Sequence, residues 1–83
     1  MELEILTPSG KLFSGNVYGV QLPGIGGSFE ILEKHAPLVS ALGKGSIKVL
    51  NDKSGNNSTS YVISGGFIEV LNNKCVVLVE GAS

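Results

Sequence analysis

Apolar and polar side chains alternate along much of this chain with a period of two, which sends successive residues to opposite faces of an extended strand. Leu3-Glu4-Ile5-Leu6-Thr7 opens the pattern and stops at Pro8-Ser9-Gly10, where Pro presets φ and Gly permits a positive one. Lys11 to Ser14 follows. Tyr18, Val20 and Leu22 then alternate with Val17, Gly19 and Gln21 as far as Pro23-Gly24. Phe29 and Ile31 face one way and Ser28 and Glu30 the other, so this stretch reads as a half-buried strand. A loop through Glu33-Lys34-His35-Ala36-Pro37 leads to the apolar run Leu38 to Leu42.

The second half is plainer. Ile47 to Leu50 and Tyr61 to Ser64 flank a polar linker, Asn51 to Ser58, that predicts an extended hairpin tip. Phe67 to Leu71 and Lys74 to Val79 flank Asn72-Asn73, two residues that tolerate left-handed backbone and suit a primed two-residue turn. No window carries apolar residues at i, i+3, i+4 and i+7 over ten positions, so no helix longer than a turn is expected. Eight or more short strands predict an all-β sandwich or flattened barrel, because a single sheet of this size would leave one apolar face wet.

Composition agrees. Val, Ile and Thr are strand formers and far outnumber Ala, while 12 Gly and 3 Pro punctuate the chain at short intervals. Eighty-three residues suffice for one domain, residues 1–83, and for no second. Net charge is −1 and all six basic residues are Lys, so the guanidinium forks and basic excess that phosphate backbones require are missing. Nucleic acid is therefore not an expected partner. The longest apolar run, Cys75 to Val79, is far short of the roughly 20 residues of a spanning helix. The acidic start Met1-Glu2-Leu3-Glu4 does not resemble a secretory signal, and the lone Cys75 fits a reducing compartment.

Catalytic chemistry has little material. His35 is the sole imidazole and Cys75 the sole thiol; a thiolate–imidazole pair competes with the simpler reading of Cys75 as a core residue in a Val-rich strand. One His and one Cys make no zinc site. Gly43-Lys44-Gly45-Ser46 resembles the end of a phosphate loop but has Leu38 where the motif needs Gly, and no following helix. Asp52 to Ser58 lacks the alternating oxygen ligands of a calcium loop. No cofactor and no metal are expected.

Two segments are hard to place in a core. Pro23-Gly24-Ile25-Gly26-Gly27 carries one apolar side chain in a Gly-rich stretch, so Ile25 either tucks under its own turn or is offered to a partner. His35-Ala36-Pro37-Leu38 holds a Pro that forces Ala36 toward extended backbone, giving a loop already stiff before it binds.

The blocks Leu3-Glu4-Ile5-Leu6-Thr7-Pro8, Phe13-Ser14-Gly15, Leu22-Pro23-Gly24, Gly27-Ser28-Phe29, His35-Ala36-Pro37-Leu38 and Ser64-Gly65-Gly66-Phe67-Ile68-Glu69-Val70 follow one another in a familiar order and spacing. They resemble the N-terminal β-sandwich domain of the epsilon subunit of F-type ATP synthases, over essentially the whole chain. The resemblance implies a ten-stranded sandwich of two five-stranded sheets in the central stalk, a non-catalytic rotor part peripheral to the cytoplasmic face of the inner membrane. It implies two partners, the gamma subunit and the c-ring. The c-ring-facing loop corresponds to Ile25, Gly26, Gly27, Ser28 and Glu30, and the gamma-facing surface to His35, Ala36, Pro37 and Leu38 with Thr7 nearby. The family often has an acidic residue at the position of Ser28 and Gly at that of Glu30; Glu30 is then expected to supply the negative charge that a basic c-ring loop would want. Members often continue into a helical, inhibitory C-terminal domain, whereas this sequence stops at Val79 to Ser83, so a short form acting by coupling alone is expected. A biotinyl or lipoyl carrier domain is the alternative, although neither Lys53 nor Lys74 sits at the tight hairpin tip that such a carrier modifies.

Overall fold

The computed structural model describes residues 1–82. Nine strands make up the fold of the described residues: β1 (Glu2–Thr7), β2 (Gly10–Asn16), β3 (Gly19–Gly24), β4 (Gly27–Leu32), β5 (Leu38–Leu42), β6 (Gly45–Leu50), β7 (Ser58–Ile63), β8 (Gly65–Leu71) and β9 (Lys74–Glu80). The count is one below the ten implied by resemblance. No helix occurs among the described residues.

Hydrogen bonding runs in the order β2-β1-β9-β8-β5-β3-β6-β7, with β4 on the other edge of β3. All neighbours are antiparallel except β1 and β9, which run parallel with Leu3 opposite Cys75 and Leu6 opposite Leu78. The sheet folds on itself at β3. Residues 19–21 of that strand pair with β6, but its last residue, Gly24, pairs with Leu42 of β5. Strands β4-β3-β6-β7 thus form one layer and β5-β8-β9-β1-β2 the other.

Alternation fills the space between the layers. Leu3, Ile5, Ile68, Val70, Cys75, Val77 and Val79 point in from the five-stranded layer, and Val20, Leu22, Ile31, Ile47, Val49 and Ile63 meet them from the four-stranded one. Among the described residues no polar or charged side chain is buried, so core stability is hydrophobic burial with no buried polar group to satisfy. The molecule measures 27 × 25 × 24 Å.

Turn chemistry follows the expectations. Asn72 and Asn73 both take left-handed backbone (φ 52° and 61°), the condition for the two-residue turn between β8 and β9. The polar linker spans residues 51–57, stiffened where the Asp52 carboxylate accepts from the Ser54 hydroxyl at 2.6 Å and the Gly55 amide at 3.2 Å. Gly66 explains the paired glycines after Ser64. Its φ is +154°, and a Cβ there would collide with the Leu78 carbonyl oxygen on the adjacent strand. Gly66→Ala is therefore expected to destabilise the fold by about 2–4 kcal/mol. Gly65→Ala, whose Cβ would sit 3.6 Å from its nearest neighbour, should cost far less. Urea unfolding midpoints of the two variants check this.

Candidate functional site

Ile25 stands at the tip of the β3–β4 hairpin and is 75% exposed. This geometry excludes tucking: the side chain leaves the turn for solvent. Ser28 and Glu30 continue up β4 on the outer face, away from the tip. Glu30 faces Gln21 across the ladder and accepts a hydrogen bond from its Nε2 at 2.9 Å. It lies three residues above Gly27, roughly 10 Å along the strand. Beside it an open groove of about 560 Å³ is lined by Gln21, Glu30, Lys48 and Ser60 together with the apolar Leu22 and Phe29.

The segment before β5 is pinned in place. Lys34 takes left-handed backbone (φ 63°), and its amide donates to the side-chain oxygen of Asn73 at 2.9 Å. The His35 amide donates to the Leu32 carbonyl at 3.2 Å, and the His35 ring nitrogen Nδ1 lies 2.8 Å from the Ala36 carbonyl. These bonds, with Pro37, hold His35, Ala36 and Pro37 exposed and Leu38 half-buried at the start of β5. Asn73 therefore serves both the turn and the neighbouring loop.

Thr7 does not lie beside this loop. It ends β1 at the opposite pole of the five-stranded layer, and counting three strand spacings and four residues puts it on the order of 20 Å from Leu38. Register alone decides this, because β1 pairs in parallel with β9 and so ends where β5 also ends.

Between those two corners lies a feature missed in the alternating pattern. On the outer face Ala41, Phe67, Leu78 and Leu6 stand in one row across β5, β8, β9 and β1, and Val39, Glu69, Val76 and Glu4 form the next. Val39 is 71% exposed, Phe67 58% and Leu78 51%. Continuous apolar runs such as Cys75 to Val79 carried the signal, since they put apolar groups on both faces of a strand. Large apolar side chains in adjacent rows on a solvent face form a contiguous patch rather than scattered exposure.

Charge closes the other end of this face. Glu4 accepts from Lys11 at 3.2 Å and from Lys74 at 3.3 Å, and these hydrogen bonds, with the charge of Lys74, hold its carboxyl below the usual value of 4.5. Lys74 opens β9 after the turn and pairs with Glu4, and Lys53 sits in the broad 51–57 loop, so neither stands at a tight hairpin tip. Neither fits a carrier domain. Cys75 is fully buried, and burial pushes its thiol up to about 12, so it offers no thiolate to His35.

A family model described as ATP synthase, Delta/Epsilon chain, beta-sandwich domain matches residues 1–83. The chain is 45% identical over 83 residues to the ATP synthase epsilon chain of Chlorobium limicola, covering 99% of itself and 91% of that relative. It is 40% identical over 86 residues to the epsilon chain of Salinibacter ruber, of which it spans 58%. Among solved structures, a chain in the Euglena gracilis mitochondrial ATP synthase (OSCP/F1/c-ring) has the same fold, with a TM-score of 0.88 at 23% identity over 98% of this chain and 51% of that one. These matches give no support to the carrier reading.

Two outcomes follow from the bonds described. Asn73→Gly should keep the turn but release Lys34, raising exchange of the Lys34 amide roughly fivefold in hydrogen-exchange NMR, while Asn72→Gly leaves it unchanged. Glu4 has a lowered folded-state pKa, so its contribution to stability is full above its ordinary value of 4.5 and is lost as pH falls through the folded-state value. Denaturant midpoints measured from neutral to acid pH should therefore fall less steeply in Glu4→Gln than in the parent.

Proposed function

Because this chain belongs to the ATP synthase delta/epsilon β-sandwich family, we propose that residues 1–83 act as one domain of the central stalk, joining the gamma subunit to the membrane c-ring so that the two turn together. The chain performs no catalytic step in this reading. It is a peripheral rotor part at the cytoplasmic face of the inner membrane.

The apolar stripe on the five-stranded layer carries the proposal. Gamma covers Val39, Phe67 and Leu78, with Thr7 at one corner of the contact and His35, Ala36, Pro37 and Leu38 at the other. That arrangement makes sense of two segments about 20 Å apart sharing one partner. The c-ring takes the hairpin tip, Ile25, Gly26 and Gly27, with Ser28 and Glu30 on its flank. The tip and the stripe lie on different parts of the surface, so one domain can hold both partners at once.

Torque transmission asks for stiffness, and the fold supplies it. A close-packed core between two hydrogen-bonded layers resists shear, and the pinned 33–37 loop is shaped before contact, so displacement is passed on rather than absorbed. Co-purification tests the assignment. Phe67→Glu, a substitution on an exposed side chain, should lower gamma recovery more than about tenfold by desolvating a charge at the contact. Ile25→Asp should leave gamma bound and lose the ring. Full recovery of gamma by Phe67→Glu would refute the assignment of the stripe.

A further inference from the structure

The loop that leads into β5 contains one unfavourable backbone conformation. Leu32 to His35 form a β-turn closed by the His35 amide on the Leu32 carbonyl, and the third residue of that turn, Lys34, has a φ of 63°. Turns with a positive φ at this position usually carry Gly or Asn there, because a β-carbon disfavours left-handed backbone. A Lys occupies it here, and the direction of His35 to Pro37 depends on its keeping that conformation.

What holds Lys34 comes from the far end of the chain. Its amide donates to Asn73 Oδ1 at 2.9 Å. Asn73 is itself fixed twice over: it takes a φ of 61° in the β8–β9 turn, and its carbonyl accepts from the Glu2 amide at 3.2 Å. The side chain that reaches Lys34 is therefore aimed by two other constraints. Asn72 shares the turn and the left-handed backbone (φ 52°), but among the described residues only Asn73 bonds to the loop through its side chain. One hydrogen bond and one left-handed residue are comparable in free energy and opposite in sign. Losing the bond thus makes the held shape one of several that the loop visits.

We infer that Asn73 is a positioning residue for the gamma contact, acting through Lys34 to keep His35, Ala36 and Pro37 in the shape that gamma meets. This rests on the loop facing gamma, as proposed above. Asn73 changes how much of the free chain is ready to bind, not the contacts made afterwards. Its removal therefore slows association and leaves dissociation alone.

The experiment measures both rates for the full chain on immobilised gamma, at a temperature where circular dichroism shows every variant folded. Asn73→Gly, which keeps the left-handed turn, should slow association roughly three- to tenfold with dissociation changed less than about twofold. Asn73→Asp, whose carboxylate still accepts from Lys34, should restore the parent rate, and Asn72→Gly should match the parent. In a Lys34→Gly chain, where left-handed backbone is no longer disfavoured, Asn73→Gly should alter association less than about twofold. Association by Asn73→Gly equal to the parent, while Pro37→Asp loses gamma, would overturn the inference and leave the loop's assignment standing. Faster dissociation that Asn73→Asp does not restore would also overturn it, by making Asn73 a direct contact. Full binding by Pro37→Asp would instead overturn the assignment of the loop to gamma, and the inference with it.

Discussion

The passage of β3 from β6 to β5 is the joint on which the rest of this structure depends. A strand has two edges, and β3 gives one entirely to β4; the other is divided, with residues 19–21 bound to β6 and Gly24 bound to Leu42. That division bends a continuous ladder into two layers and brings Leu22 and Ile31 over Ile68 and Val77 in one core. A flat sheet would leave those side chains in water, so burial of apolar surface stabilises the bend. The bend also sets the turn at Gly43 against the tip of the Ile25 hairpin. Core formation and the shape of the exposed pole have the same cause.

The central rows of the two outer faces differ in kind. Across β4-β3-β6-β7 the row Glu30, Gln21, Lys48 and Ser60 is polar throughout, as suits a surface left to solvent. Across β5-β8-β9-β1 the rows around Phe67 and Leu78 are apolar, bounded by the ion pairs of Glu4 with Lys11 and Lys74. Such asymmetry in an antiparallel sandwich suits the face proposed above to meet gamma. A coupling part needs nothing more chemical than this. It needs surfaces held at fixed angles, and Asn73, Pro37 and the Gly43–Pro23 bond each hold one.

Local pattern carried most of the strands and turns. The Asn72-Asn73 turn, the core place of Cys75 and the outward Ser28 and Glu30 were legible because each depends on nearest neighbours: backbone φ, strand period, the cost of a buried charge. Two paired glycines after Ser64 were visible as residues, but the reason for Gly66, the Leu78 carbonyl beside it, lies on another strand.

What the sequence determined by itself was therefore local: an all-β chain, its turns, its family and the exposed status of Ile25 and of His35 to Pro37 once the family was recognised. Tertiary structure decided everything that depends on register. It set Thr7 far from His35, gathered Val39, Phe67 and Leu78 into one stripe, and laid Gly43 against the hairpin tip. The physical reason is that period two assigns a residue to a face, whereas which residues share that face as neighbours is decided only when strands distant in sequence pair.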